Sequence, residues 1–171
     1  MFEKIAEHCL NNLTSKDSPV TPSLFASLIV NLAKRQKTGV CDAGESIIIS
    51  PGRRFYPCHV MATTPKNSVE CVDDFDKKMS ENPKFFYVKN LKRENVENCK
   101  TCIAKNICAV FCKGMCKHDN GKLIHPEERC LMMRIFLKKA ISFLASKNSF
   151  NENILKENLL KFNKRNSVIY A

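Results

Sequence analysis

The sequence predicts a small α+β fold in which a β-hairpin and cysteine-rich loops are flanked by N- and C-terminal helices. Three observations carry that reading. Apolar residues recur at helical spacing near both ends of the chain. A β-branched run at Ile47-Ile48-Ile49 meets Pro51-Gly52 and a second short run ending at Tyr56, the pattern of a hairpin. From about Cys41 to Cys130 long apolar runs are scarce while cysteines are dense, so that stretch is held by cross-links as much as by burial.

The elements follow in order. Phe2, Ile5, Ala6, Cys9, Leu10 and Leu13 make residues 2–14 a helix, with Cys9 a small core residue on its apolar face. Residues 15–22 are a polar, proline-punctuated break. Thr21 as N-cap and Pro22 in the first turn open a second helix. Leu24, Phe25, Leu28, Ile29 and Leu32 form its stripe, Lys34, Arg35 and Lys37 suit the dipole at its far end, and Gly39 stops it. Residues 46–50 are a strand, Pro51-Gly52 the turn, and Arg53 to Tyr56 the return, ending at Cys58. Residues 62–90 read as polar and irregular, with a short helix near 73–80. Residues 99–116 read as turns and short helical pieces. His125-Pro126-Glu127-Glu128 opens a strong helix carrying Leu131, Ile135, Leu137, Ile141 and Leu144. Residues 148–153 interrupt it, and Ile154, Leu155, Leu159 and Phe162 mark a last short helix.

A chain of 171 residues is one domain, or one with helical extensions, and its 44% apolar content is enough for a core. The net charge of +11 comes from 21 lysines and 7 arginines. It suits an acidic partner. The lysines are scattered, however, and no aromatic–glycine RNA-binding signature is present, so nucleic acid is disfavoured. The N-terminus is a charged amphipathic start rather than a signal peptide, and no apolar stretch approaches the roughly 18 residues needed to cross a bilayer. A disulfide scaffold calls for an oxidising compartment. The ten cysteines are therefore expected as reduced thiols in the cytoplasm.

Their spacing is the main functional signal. Cys99, Cys102, Cys108 and Cys112 read C-x2-C-x5-C-x3-C, with Cys41 and Cys58 before, Cys116 just after and Cys130 later. Four thiolates hold zinc or a 4Fe-4S cube. Structural zinc favours repeated C-x2-C knuckles, of which this chain has one. The x5 and x3 followers suit a larger object, and seven or eight thiols imply two sites. A zinc-stabilised module that contacts protein or nucleic acid is the alternative, with disulfides or free thiols a third. A cluster held by four thiolates is anionic, which gives the basic balance a second explanation.

The set as a whole resembles the SPASM domain, the C-terminal auxiliary-cluster domain of radical SAM enzymes. The resemblance covers residues 39 to about 135. It rests on Cys41, Gly52 in the hairpin turn, Cys58, a gap of 40 residues, the run Cys99, Cys102, Cys108, Cys112, a gap of 17 and Cys130, together with the text Tyr56-Pro57-Cys58-His59. It implies two 4Fe-4S clusters with crossed ligands. Cys41, Cys58 and Cys112 would serve the first, and Cys99, Cys102, Cys108 and Cys130 the second. For the fourth place on the first cluster, Cys116 either fills it or is a spare thiol beside an open iron. Cys71 is unassigned. His59 stands where the sulfatase-maturing branch has an aspartate that serves as a base, which disfavours that branch; peptide-maturing members often have histidine there, and the resemblance then implies a structural role. His8, His118 and His125 read as ordinary polar residues.

The resemblance divides the chain into residues 1–38, a helical linker or the end of a missing barrel; 39–135, the cluster domain; and 136–171, a helical extension. It implies electron transfer and substrate positioning beside a radical SAM catalytic domain that modifies a peptide or protein, with no membrane partner. The C-x3-C-x2-C motif of that domain is absent, since Cys116 follows Cys112 at x3. No succession of strand–helix units provides a barrel, which needs about 200 residues. S-adenosylmethionine would bind only the missing domain, and the chain reads as a fragment, an excised domain or a split protein. A stand-alone electron carrier is a further reading.

Overall fold

The computed structural model describes residues 1–16, 23–33, 41–64, 68–70, 81–146, 153–154 and 156–160. Cys71, Leu155, Phe162, the Thr21–Pro22 helix start, the basic helix end at 34–39, the helix expected near 73–80 and most of the break at 148–153 lie outside the described residues. The fold is α+β, and the chain divides into two compact units.

The first unit comprises Met1–Gly39, Asn106–Val110 and Glu127–Ala171. Its helices α1 (Phe2–Thr14), α2 (Ser23–Ala33) and α5 (Glu127–Ala145) pack against one another. The inward residues follow the helical period: Ala6, Cys9 and Leu13 on α1, Phe25, Leu28 and Ile29 on α2, and Met133, Phe136, Leu137 and Ala140 on α5. Phe25 meets Phe136 edge-on, centroids 5.3 Å apart. Full burial of each such side chain is worth roughly 1.5–3 kcal/mol, which makes this stripe, rather than helix propensity, the main support. Residues 156–160 are helical, and the buried Asn158 donates to the carbonyls of Leu13 (2.8 Å) and Ser15 (3.1 Å), closing the free end of α1. The Glu7–Lys139 ion pair at 2.7 Å is exposed and adds little.

The second unit comprises Val40–Lys105 and Phe111–Pro126. Strands β1 (Ile48–Ile49) and β2 (Arg54–Tyr56) pair antiparallel in the register Ile48–Tyr56 and Ile49–Phe55. The Ser50–Arg53 turn closes on Arg53 N–H to Ser50 C=O at 3.1 Å. The strand expected over 46–50 is shorter, because a turn at Asp42–Ser46 uses its start: the N–H groups of Glu45 and Ser46 both donate to Asp42 C=O. A third strand, β3 (Val69–Glu70), adds to β2 and makes a sheet of order β1-β2-β3.

Besides β3, one element corrects the stretch read as irregular and another adds structure where the sequence reading had none. Within the stretch read as irregular stands α3 (Pro83–Asn90), capped by the Asn82 side chain accepting from Lys84 N–H at 3.0 Å, with proline in the first turn. After α4 (Glu97–Lys100), strands β4 (Lys117–Asp119) and β5 (Lys122–Ile124) form a second hairpin. Its turn residues Asn120 and Gly121 both hold positive φ, 47° and 74°, as a two-residue type I′ turn requires. Single 3-10 turns at Met61–Thr63, Arg93–Asn95, Lys105–Ile107 and Lys113–Met115 carry the chain around the cysteines. No helix among the described residues is long and apolar enough to cross a membrane.

Candidate functional site

Three remote segments of the second unit bring Cys41, Cys58 and Cys112 into one neighbourhood: Cys41 packs against the group around Cys58, and the charges of both act on Cys112. Cys41 starts the loop that turns at Asp42–Ser46, and Gly44 N–H donates to Pro57 C=O at 2.8 Å, tying this loop to the residue before Cys58. Cys58 follows β2 and is buried with Ala43 and Val88, with Cys41, Val60 and Met61 packed against them. Cys112 leads into the Lys113–Met115 turn. That turn lies directly on Cys58: a Cβ on Gly114 would come within 2.8 Å of the Cys58 Sγ. Glycine is needed there for close approach rather than for its backbone angles.

The thiols share an electrostatic neighbourhood. Burial pushes the Cys112 thiol up, the peptide N–H of Met115 opposes this, the charge of Cys41 adds to it, that of Gly114's N–H opposes, and Cys58 adds again. Like charges so placed resist ionising together, and a bound cation would relieve them.

Two polar residues brace the loops. Lys113 is buried, and its ammonium donates to Lys89 C=O at the end of α3 (2.9 Å) and, at 3.5 Å, to Ala43 C=O. No Asp or Glu is buried among the described residues. His125, read from sequence as an ordinary polar residue, is 2% exposed. Its Nε2 accepts from the backbone N–H of Cys112 at 3.3 Å, which places the proton of the neutral ring on Nδ1. The ring stacks on Phe111, centroids 5.7 Å apart, and the Arg93 guanidinium lies over the Phe111 ring, 5.2 Å from its centroid. No sequence signal singles out His125, because its burial depends on residues 98, 111 and 112.

The remaining cysteines are placed as follows. Cys99 is buried on α4 with Leu91 and Val96, and Phe111, Cys116 and Leu123 pack against that group. Cys116 thus joins the packing around Cys99, while its thiol donates weakly to Cys112 C=O at 3.5 Å. Cys102 is half-buried in the turn after α4, its N–H bonded to Cys99 C=O at 3.3 Å. Cys108 and Cys130 are half-buried and belong to the first unit. His59, His8 and His118 are exposed. Every cysteine among the described residues is a free thiol. Among those residues no three His, Cys, Asp or Glu side chains stand together as a metal ion would require.

The raised groups predict an alkaline instability. Burial pushes the Cys9 thiol up, as it does Cys112, and the Tyr87 phenol is raised by burial and then by Cys116. The folded chain keeps these protons where the unfolded chain releases them. Their contribution is therefore whole below the ordinary thiol value of 9.0 and is lost as pH rises through the folded values. The urea midpoint of reduced, metal-free protein is expected to fall from pH 9 to 11, and less so in Cys112→Ala. A flat midpoint in wild type would contradict the burial of these groups.

No family model, no curated protein and no solved structure matches this chain.

Proposed function

We propose that the chain is an auxiliary iron–sulfur domain that holds two 4Fe-4S clusters and serves a radical SAM peptide or protein maturase. The observation that carries this is that Cys41 packs beside Cys58, that the Gly114 turn after Cys112 lies on Cys58, and that the charges of both thiols reach Cys112, all from segments distant in sequence. The donor set fits the group chemically: thiols from three loops, with the peptide N–H groups of Met115 and Gly114 facing the Cys112 sulfur. A 4Fe-4S cube supplies one-electron transfer when bound. The chain's own residues do the rest. Cys41, Cys58 and Cys112 would hold the first cluster. Gly114 leaves room at Cys58, and His125 orients the Cys112 backbone. The second set, Cys99, Cys102, Cys108 and Cys130, is proposed on its sequence spacing alone. Cys116 packs beside Cys99, which supports an open fourth place on the first cluster rather than closure by Cys116.

Anaerobic purification tests the reading. A brown protein with about eight irons and matching acid-labile sulfide per chain is expected, four for each cube. A colourless protein carrying stoichiometric zinc would overturn it in favour of a zinc-stabilised binding module. Cys108→Ala and Cys130→Ala should each remove about half of the iron and give the same residual EPR spectrum in the reduced state. Unchanged iron in Cys130→Ala would remove that residue from the ligand set.

A further inference from the structure

A groove of about 530 Å³ runs between α3 and the β4–β5 hairpin, wholly within the second unit, and takes no part in the cysteine grouping. Phe86, Tyr87 and Leu123 supply its apolar surface, and Lys100, His118 and Lys122 line it as well. Phe86 is 61% exposed and Tyr87 48%. Two successive open aromatics on one helix cost solvation free energy that nothing in the fold recovers. The Tyr87 ring is also held in place, its hydroxyl paired with His118 Nε2 at 3.3 Å. A fixed aromatic wall loses little entropy when a partner covers it.

Charge selects the partner. Glu97 is the carboxylate of the groove, and it is engaged by Lys100 at 2.7 Å. Lys122 acts on the same carboxylate through its charge but makes no ion pair within 4 Å among the described residues, so two lysines of the groove face one carboxylate and leave positive charge for an incoming anion. A second copy of this chain would arrive with a charge of +11 against the same charge. A phosphate backbone would have to lie along the Glu97 carboxylate, whereas a peptide can donate its N–H groups there. We propose that this groove docks an acidic peptide segment, with an aromatic or long apolar side chain seated against Phe86 and Tyr87 and a carboxylate on Lys122. The proposal is independent of the iron–sulfur reading, since its test needs no metal, and either can fail alone.

The test is fluorescence anisotropy of the full-length protein with a fluorescein-labelled peptide carrying phenylalanine between aspartate and glutamate residues. Saturable binding is expected, weakening as salt rises. Lys122→Glu and Phe86→Ser, both at exposed positions, should each weaken it about ten-fold while leaving the far-UV circular dichroism unchanged. Equal binding of a peptide with lysines in place of the acids would overturn the proposal. So would unchanged affinity in both variants, or displacement of the peptide by an equal concentration of a single-stranded oligonucleotide.

Discussion

Gly44→Ala is expected to lower stability by about 3 kcal/mol or more and to release Cys41 from its neighbours. Two costs coincide at this position. Gly44 holds φ at +89°, a region that L side chains rarely adopt. An added Cβ would also lie 2.5 Å from Lys89 N and 2.8 Å from Lys89 Cα. Those are backbone atoms of α3, so no rotamer change relieves the clash, and the loop itself must move. Moving it stretches the 2.8 Å bond from Gly44 N–H to Pro57 C=O, which sets Cys41 against Cys58. It also pulls Ala43 C=O away from Lys113. Urea titration of the metal-free protein should show the loss, and iron bound per chain should fall with it. Gly52→Ala is the control, because nothing lies within 4 Å of a Cβ built there. If both variants unfold at the same urea concentration as wild type, the Cys41 loop is not seated on α3 as described.

What the sequence made legible follows from how many neighbours each feature needs. The stripe on α1 repeats along one helix, so periodicity reveals Ala6, Cys9 and Leu13, although Ile5 is exposed. On α5 the expected stripe is displaced: of its members only Leu137 is buried and Leu131 and Ile141 are exposed, because the helix turns Met133, Phe136, Leu137 and Ala140 inward. Helix α3 escapes that test because it buries only Phe85 and Val88 and turns Phe86 and Tyr87 outward. Its Asn82-Pro83 start was the readable sign, as Asn120-Gly121 was for the second hairpin. The cysteines announce themselves by number and spacing. Which of them share a neighbourhood is decided by contacts across long gaps, such as Gly114 on Cys58 and Lys113 on Ala43, and spacing does not encode those. A buried lysine or histidine is written with the same letter as an exposed one. Lys113 and His125 therefore became visible only when their acceptors and donors were placed around them.

Asn98→Ala is expected to cost about 2–4 kcal/mol, more than most polar truncations, because one side chain satisfies both backbone groups of a buried residue. Asn98 Nδ2 donates to His125 C=O at 2.7 Å, and His125 N–H donates back to Asn98 Oδ1 at 3.0 Å. Asn98 precedes Cys99 on α4, and His125 bonds the backbone of Cys112. The pair thus sets the position of one thiol-bearing segment against another. His125→Phe should cost less, about 1–3 kcal/mol: the new ring can still stack on Phe111 and Asn98 still reaches the backbone, but Cys112 N–H is left without its acceptor. Asn98→Asp keeps the acceptor for His125 N–H and loses the donor, so it should fall between wild type and Asn98→Ala. If Asn98 acts by holding residue 125, the double variant will be less destabilised than the sum of the two, by an interaction energy of about 0.5 kcal/mol or more. Strict additivity would mean that the two side chains act separately. Amide exchange at Cys112 gives an independent reading: it should quicken in His125→Phe and in Asn98→Ala alike, since either change removes the imidazole nitrogen from its place above that N–H.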